Sequence, residues 1–484
     1  MQLNNPDLFK EQCLVGGEWI APEGRTISVT NPADGKVIGA VPKLGREETA
    51  RAVQAAWEVF PTWSGLTPSQ RAEVLRKWHD LILENRDDLC RILTMEQGKP
   101  LAEAKAEIEV GAQYILWFAE EGRRVYGDVI PSPWPGKQPM TARRPVGVTA
   151  AVTPWNFPMS MITRKAGPAL AAGCPVVIKP ASATPFSALA LAELAVQAGV
   201  PAGVLSVVTG GSADIGAELC ENPLVRKLTF TGSTAVGKTL VAQCAGTMKK
   251  VSMELGGNAP FIVCADADMD KAVAGAVACK FRNAGQTCVC ANRFIVDRRV
   301  YDEFTERFAA AVGKLVVGNG LESGVTLGPL IDAKARARMA ELVADAVAKG
   351  GEVLIGGMSH ELGGRFFQPT LIRGATPSMR VFREEIFGPI APVMAFGTEE
   401  EAVALANDTE YGLASYVYTR DVGSFSRIAA GLDYGMVGVN DVGLAGAEVP
   451  FGGVKESGLG REGGRQGIED YLETKYILLG GLAD

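Results

Sequence analysis

From about residue 146 the chain alternates short β-branched or apolar runs with longer Ala/Leu-rich stretches. Segments 148–152, 176–178, 205–208 and 227–230 read as strands, and 160–172, 187–198, 213–220 and 235–244 read as the helices between them. Such alternation predicts α/β architecture with a doubly wound parallel sheet, whose ligands bind beyond the C-terminal strand ends. A second unit follows. It has strands at 260–264 and 293–296, helices at 269–279, 301–314 and 334–349, and a continuation through 381–388, 391–396 and a helix at 399–407. Asp268 is placed to cap the helix that begins at 269. Before residue 146, segments 47–60, 68–85 and 101–122 carry apolar residues at helical spacing, with Ser69 after Pro68 as a start signal. The proline-rich stretch 131–139 breaks this pattern and reads as a linker or extended arm. The apolar run 475–479 near the C-terminus reads as an edge strand or as one that pairs with another subunit.

A length of 484 residues calls for two or three domains. A net charge of −7, with no arginine-rich arm, argues against nucleic acid as the main partner and leaves small molecules open. Residues 1–10 lack a signal-peptide core, and the Ala-rich runs at 166–173 and 272–279 are too short to span a bilayer, so a cytoplasmic location with no membrane partner is expected. Nine mostly isolated cysteines read as reduced thiols. Cys288 and Cys290, without clustered partners, make a poor zinc site, so no metal is expected. The two histidines, His79 and His360, read as surface residues. A base must then be a carboxylate or lysine.

The segment Arg282-Asn283-Ala284-Gly285-Gln286-Thr287-Cys288-Val289-Cys290 delivers a thiol on a small, flexible run six residues after an arginine. Alone, it reads as a buried structural cysteine as readily as a nucleophile. Glu254, at the end of an apolar run and before a glycine turn, is placed to be a partly buried base, or to cap that turn. Asn156 is either an amide donor to an oxyanion or a turn-former between Pro154 and Pro158. Small residues at Thr231-Gly232-Ser233-Thr234 open a helix and suit a pyrophosphate, though Gly232 and Gly237 do not complete a G-x-G-x-x-G fingerprint.

Seven motifs then occur in order: Pro154-Trp155-Asn156-Phe157-Pro158, Val177-Ile178-Lys179-Pro180-Ala181, Phe230-Thr231-Gly232-Ser233, Met253-Glu254-Leu255-Gly256-Gly257, Gly285-Gln286-Thr287-Cys288, Glu384-Glu385-Ile386-Phe387-Gly388-Pro389 and Pro450-Phe451-Gly452-Gly453. Together the chain resembles the aldehyde dehydrogenase superfamily nearly end to end. Met161-Ile162-Thr163-Arg164-Lys165, Phe281-Arg282-Asn283 and Cys288-Val289-Cys290 bring it nearest to bacterial succinate-semialdehyde dehydrogenases. The resemblance implies two Rossmann-like domains and a small β oligomerisation arm: 1–126 and 147–254 for NAD(P), 255–462 for catalysis, 127–146 and 463–484 for assembly as a homodimer or homotetramer. It implies Cys288 as nucleophile, Asn156 and the Cys288 amide as oxyanion donors, and Glu254 as the base that releases the acid. Lys179 would contact a cofactor ribose and Glu385 the nicotinamide-side ribose, with Phe387 packed by the nicotinamide. Thr153, Trp155, Ser182, Gly210, Gly232, Ser233 and Leu255 would complete the cofactor site, and Arg164 and Arg282 would clamp a substrate anion at the pocket mouth.

Ser182 stands where NAD-preferring relatives often carry glutamate. A carboxylate repels a 2′-phosphate and a hydroxyl donates to one, so NADP is expected alongside NAD. In 440–448 the serine typical of the family is replaced by Asp441-Val442-Gly443-Leu444-Ala445-Gly446-Ala447. That leaves glutarate semialdehyde or a sulfonated aldehyde such as sulfolactaldehyde open beside succinate semialdehyde. Cys290 reads either as a neighbouring structural thiol or, as the resemblance to relatives with this Cys-x-Cys implies, as the partner of Cys288 in a redox-switch disulfide. A cysteine esterase or thioesterase is disfavoured by the cofactor-site residues Lys179 and Glu385, and a non-catalytic relative because Cys288, Glu254, Asn156 and Lys179 occur together.

Overall fold

The computed structural model describes residues 3–21 and 24–481; the extreme ends of the expected first domain and arm, residues 1–2 and 482–484, lie outside the described residues. An eight-stranded sheet runs from edge to edge as Gly458–Leu459, Lys250–Glu254, Val225–Thr231, Val148–Val152, Val176–Lys179, Leu205–Val207, Cys13–Val15 and Glu18–Ile20. The five strands from Lys250–Glu254 to Leu205–Val207 are parallel, and the outer three are added antiparallel. The second sheet runs Glu352–Ile355, Thr370–Arg373, Ile390–Phe396, Ala291–Asp297, Ala259–Val263, Ala414–Tyr418 and Met436–Val439. It is parallel except at its Glu352–Ile355 edge. Helices cover both sheets, which is why Val176–Lys179 and Ala259–Val263 are buried at every position and read as continuous runs rather than alternating ones.

In the first sheet the chain moves outward from Val148–Val152 through Val176–Lys179 to Leu205–Val207, then returns to the other side of Val148–Val152 as Val225–Thr231. Strand order reverses there, and the crevice at that reversal lies beside Thr153-Pro154-Trp155-Asn156 and Thr231-Gly232-Ser233. Outside both sheets, Gln138–Pro145 and Leu472–Leu479 form an antiparallel ribbon paired over its full length, from Gln138 with Leu479 to Pro145 with Leu472. Tyr476, Leu478 and Leu479 are exposed on it.

The structure departs from the sequence reading in several places. The proline-rich break leads into a paired strand, Gln138–Pro145, which receives the C-terminal strand as an edge strand of the same chain. The N-terminal region also contributes Cys13–Val15, Glu18–Ile20 and the hairpin Thr26–Thr30/Val37–Pro42, which the helical pattern did not announce. Helix Pro68–Glu84 starts from Thr67, whose hydroxyl accepts from Gln70 while Gln70 reaches back, so this capping box and not Ser69 sets the start. His79 is buried and not on the surface: it falls on the same face as Leu75 and Ile82, with Nδ1 2.8 Å from Asp80. Residues 381–388 hold one turn of helix, Arg380–Arg383, and irregular backbone, and the strand waits until Ile390 beyond Pro389.

Candidate active site

Helix Met269–Phe281 ends just before the cysteine segment, and the backbone then turns left-handed at three successive residues: Asn283 (φ 52°), Ala284 (φ 53°) and Gly285 (φ 74°). Glycine adopts this freely; Asn283 and Ala284 need outside support. A Cβ on residue 285 would lie 2.2 Å from the Gly388 carbonyl oxygen, so only glycine fits. Support comes from other elements: the Asn283 amide donates to Glu103 Oε2 (2.8 Å), Gln97 Nε2 donates to Asn283 Oδ1 (2.8 Å), and Asn283 Nδ2 donates to the Asn156 carbonyl (2.9 Å). Asn156 in turn donates from Nδ2 to the Gln286 carbonyl (3.0 Å). Its amide carries a second hydrogen, the one suited to an aldehyde oxygen.

Cys288 lines a cavity of about 310 Å³ together with Phe157, Met161, Arg164, Arg282, Ala445 and Phe451. Burial first, then Glu385 and Glu254, push its thiol up to about 12, with Arg164 opposing them. At rest the thiol is therefore protonated, and attack requires a group to take its proton. Glu254 closes strand Lys250–Glu254 with 2% exposure, and neither carboxyl oxygen has a protein partner. Burial and then Glu462 hold this carboxyl well above the usual range, against Arg164 and Lys165, which makes its ionised form a stronger base. Gly452 (φ 157°) gives it room, since a Cβ there would stand 2.8 Å from Glu254 Oε1. Behind it, burial alone would raise Glu462, yet Arg164 (2.5 Å) and Lys165 together hold it below the ordinary carboxylate value.

The crevice at the strand-order reversal gathers most of the residues expected at a cofactor site. Thr153 and Thr231 are buried with hydroxyls that no protein group satisfies. Lys179 is buried, reaches only the Pro180 carbonyl (3.3 Å) among described partners, and is lowered by burial to about 8. Trp155 and Phe387 (φ 53°) meet edge to face at 5.6 Å. Glu385 accepts from the Gly257 amide (2.9 Å), and burial raises it to about 7. Gly210 packs against the Leu44 backbone, Ser182 sits half-buried in the turn after Lys179, and Gly232 and Ser233 precede helix Thr234–Cys244, with Leu255 packed against Gly237. Unpaired polar groups beside small residues and a helix start fit a dinucleotide.

The two arginines reach the cavity differently. Arg282 is exposed, its guanidinium 5.5 Å from the Phe157 ring. Arg164 is not at the mouth: it is buried, paired with Glu462 and stacked 4.3 Å from Phe451. Cys290 is buried, its thiol 3.4 Å from the Lys280 and Ala291 carbonyls. Sequence reasoning missed Glu462, Lys165, Lys99, Glu103 and Glu107. Glu462 lies in a glycine-rich tail with no local signal, Lys99 sits in a Gly98-Lys99-Pro100 turn that reads as solvent-exposed, and Glu103 and Glu107 resemble the charged face of an ordinary helix. Among the described residues, no group of three or more His, Cys, Asp or Glu could hold a metal ion, and no helix is long and apolar enough to cross a membrane.

Comparison with known proteins agrees with this geometry. The family model described as the aldehyde dehydrogenase family matches residues 19–477. Glutarate-semialdehyde dehydrogenase of Pseudomonas aeruginosa is 59% identical over 484 residues, covering 100% of both chains. The NADP(+) succinate-semialdehyde dehydrogenase of Escherichia coli K12 is 58% identical over 481 residues, 99% of this chain and 100% of the relative. The crystal structure of an E. coli NADP-dependent enzyme superposes with a TM-score of 0.98 at 57% identity, over 99% of this chain and 100% of that one. With the thiol, the carboxyl and the crevice set in one continuous fold, the chain belongs to the aldehyde dehydrogenase family.

Proposed function

We propose that this aldehyde dehydrogenase oxidises a short aldehyde with an anionic tail, succinate semialdehyde first and glutarate semialdehyde second, using NAD or NADP. The observation that carries the substrate reading is the cavity itself, which holds Cys288 and an exposed arginine, Arg282, in one space. Cys288 Sγ gives up its proton to solvent as it attacks the aldehyde carbon, and the oxygen that gains the charge is received by Asn156 Nδ2 and the Cys288 amide. When bound, the nicotinamide supplies the hydride acceptor. The resulting thioester on Cys288 is opened by water after Glu254 takes the water's proton. Lys179 and Ser182 support acceptance of a 2′-phosphate, as do the two relatives described as NADP enzymes. Arg164, already paired with Glu462, shapes the inner cavity and leaves Arg282 as the principal grip on the anion.

The same proposal includes residues 1–126 and 147–254 as the cofactor domain, 255–462 as the catalytic domain, and 127–146 with 463–484 as the arm of a cytoplasmic homodimer or homotetramer. A regulatory disulfide between Cys290 and Cys288 also belongs to it, and would require the Cys290 thiol to leave the Lys280 and Ala291 carbonyls. The test is Arg282→Ala assayed on succinate semialdehyde, glutarate semialdehyde, a sulfonated aldehyde and propanal. The account predicts a loss in kcat/KM of roughly 10²-fold for anionic aldehydes and under threefold for propanal. Equal losses on all four would refute the grip.

A further inference from the structure

Lys99 lies in the turn between helices Arg86–Gln97 and Leu101–Glu121, and its side chain is fully buried. Its ammonium donates to Glu107 Oε2 (2.5 Å) and to the Asn156 carbonyl (2.8 Å), and it stands 3.7 Å from the Phe157 ring centroid. Three N–H groups thus face a carboxylate, a carbonyl and an aromatic face. The other carboxylate oxygen of Glu107 accepts from the Met159 (2.9 Å) and Ser160 (3.2 Å) amides, where helix Ser160–Ala172 begins without a side-chain cap of its own. The loop from Asn156 to Ser160 is therefore fastened at both ends to one buried ion pair. At the Asn156 end, Asn283 Nδ2 is the second donor to the same carbonyl.

We propose that Lys99 is a positioning residue of the oxyanion hole: its buried ammonium holds the Asn156 carbonyl and so aims the Asn156 side-chain amide at the aldehyde oxygen. Lys99 touches neither thiol nor substrate and acts through Asn156. The alternative role is purely structural, the neutralisation of Glu107. The two differ in what a charge-balanced replacement repairs. A buried carboxylate left without its cation destabilises the fold, and removing both charges relieves that penalty. It does not return a donor to the Asn156 carbonyl.

This inference rests on the assignment of Asn156 as an oxyanion donor, and a double-mutant cycle separates the two. In Lys99→Met, kcat with succinate semialdehyde is expected to fall roughly 30-fold, with KM for the aldehyde changed under threefold, because a misaimed donor weakens the transition state more than the ground state. In an Asn156→Ala background, the same Lys99→Met change is expected to lower kcat by less than threefold, since there is no amide left to aim. Lys99→Met with Glu107→Gln is expected to recover the unfolding midpoint of the parent but not its kcat, and it serves as the test variant if Lys99→Met alone does not fold. Full kcat in the charge-balanced variant, or equal losses from Lys99→Met in both backgrounds, would overturn the inference and leave the Asn156 assignment standing. If Asn156→Ala itself retains full kcat, the oxyanion assignment falls and takes this inference with it.

Discussion

Glu254 and Glu462 share one buried neighbourhood and are driven apart by what surrounds them. Glu462 has Arg164 and Lys165 and stays ionised; Glu254 has neither as a partner and is held high. One carboxylate thus stores charge and the other is free to exchange protons, a division seen in the three-dimensional environment and not in the residue type. Lys179 shows the same principle at the cofactor crevice. Burial lowers its ammonium to about 8, so it is charged below that pH and neutral above it. If it meets a 2′-phosphate, the ratio of kcat/KM for NADP to that for NAD should fall by roughly tenfold between pH 7 and 9. Steady-state rates with both cofactors across that range check this. A flat ratio would remove Lys179 from phosphate recognition, and no NADP turnover at all would remove Ser182 as well. Cys288, Glu254, Asn156 and Lys179 were legible as candidates because each falls within one of the ordered motifs; position alone leaves a structural reading open for the first three. Glu462 was not legible, because its role depends on Arg164 and Lys165 nearly three hundred residues earlier in the chain.

Two helices at the working end of the first sheet are capped from a distance. Helix Phe186–Gln197 has Pro185 before it and no side-chain cap, and its first two amides and one hydroxyl donate to Glu96 from another helix: Phe186 N at 2.7 Å, Ser187 N at 2.8 Å and Ser187 Oγ at 2.5 Å. Glu107 does the same for helix Ser160–Ala172. The carboxyl oxygens satisfy donors that a helix start leaves unpaired, a role Glu96 fills even though burial raises it to about 8. Glu96→Ala should therefore cost about 2 kcal/mol of unfolding free energy, with Glu96→Gln costing less because it keeps an acceptor. Urea denaturation measures both, and a loss under about 0.5 kcal/mol for alanine would show that the helix does not depend on this cap. Element type was readable where residue type and run length differed clearly, as between the Ala/Leu-rich stretch Ser160–Ala172 and the short apolar run Ala259–Val263. The starts were less so: a local cap such as Asp268 or Thr67 leaves a sequence signal, whereas a cap supplied ninety residues away leaves none.

At the scale of the molecule, the alternation of strands and helices specified two parallel sheets, and the order of the seven motifs specified which strand ends face the crevice. What it could not specify was closure. Strand Gly458–Leu459 returns to the edge of the first sheet beside Glu254, and Gln138–Pro145 captures the C-terminal strand, both through pairings across more than two hundred residues. These closures bring the glycine-rich tail against Glu254 and set Phe451 on the cavity wall with Cys288. The proposed reaction is oxidation of the Cys288–aldehyde adduct to a thioester, followed by Glu254-dependent release. The most direct measurement is rapid mixing of Glu254→Gln enzyme with NADP and succinate semialdehyde, followed by peptide mapping of the quenched protein. The account predicts a burst of about one reduced cofactor per active site, very slow turnover afterwards, and an acyl group on Cys288. A variant that turns over at the parent rate without a burst, or that carries its acyl group elsewhere, would contradict it.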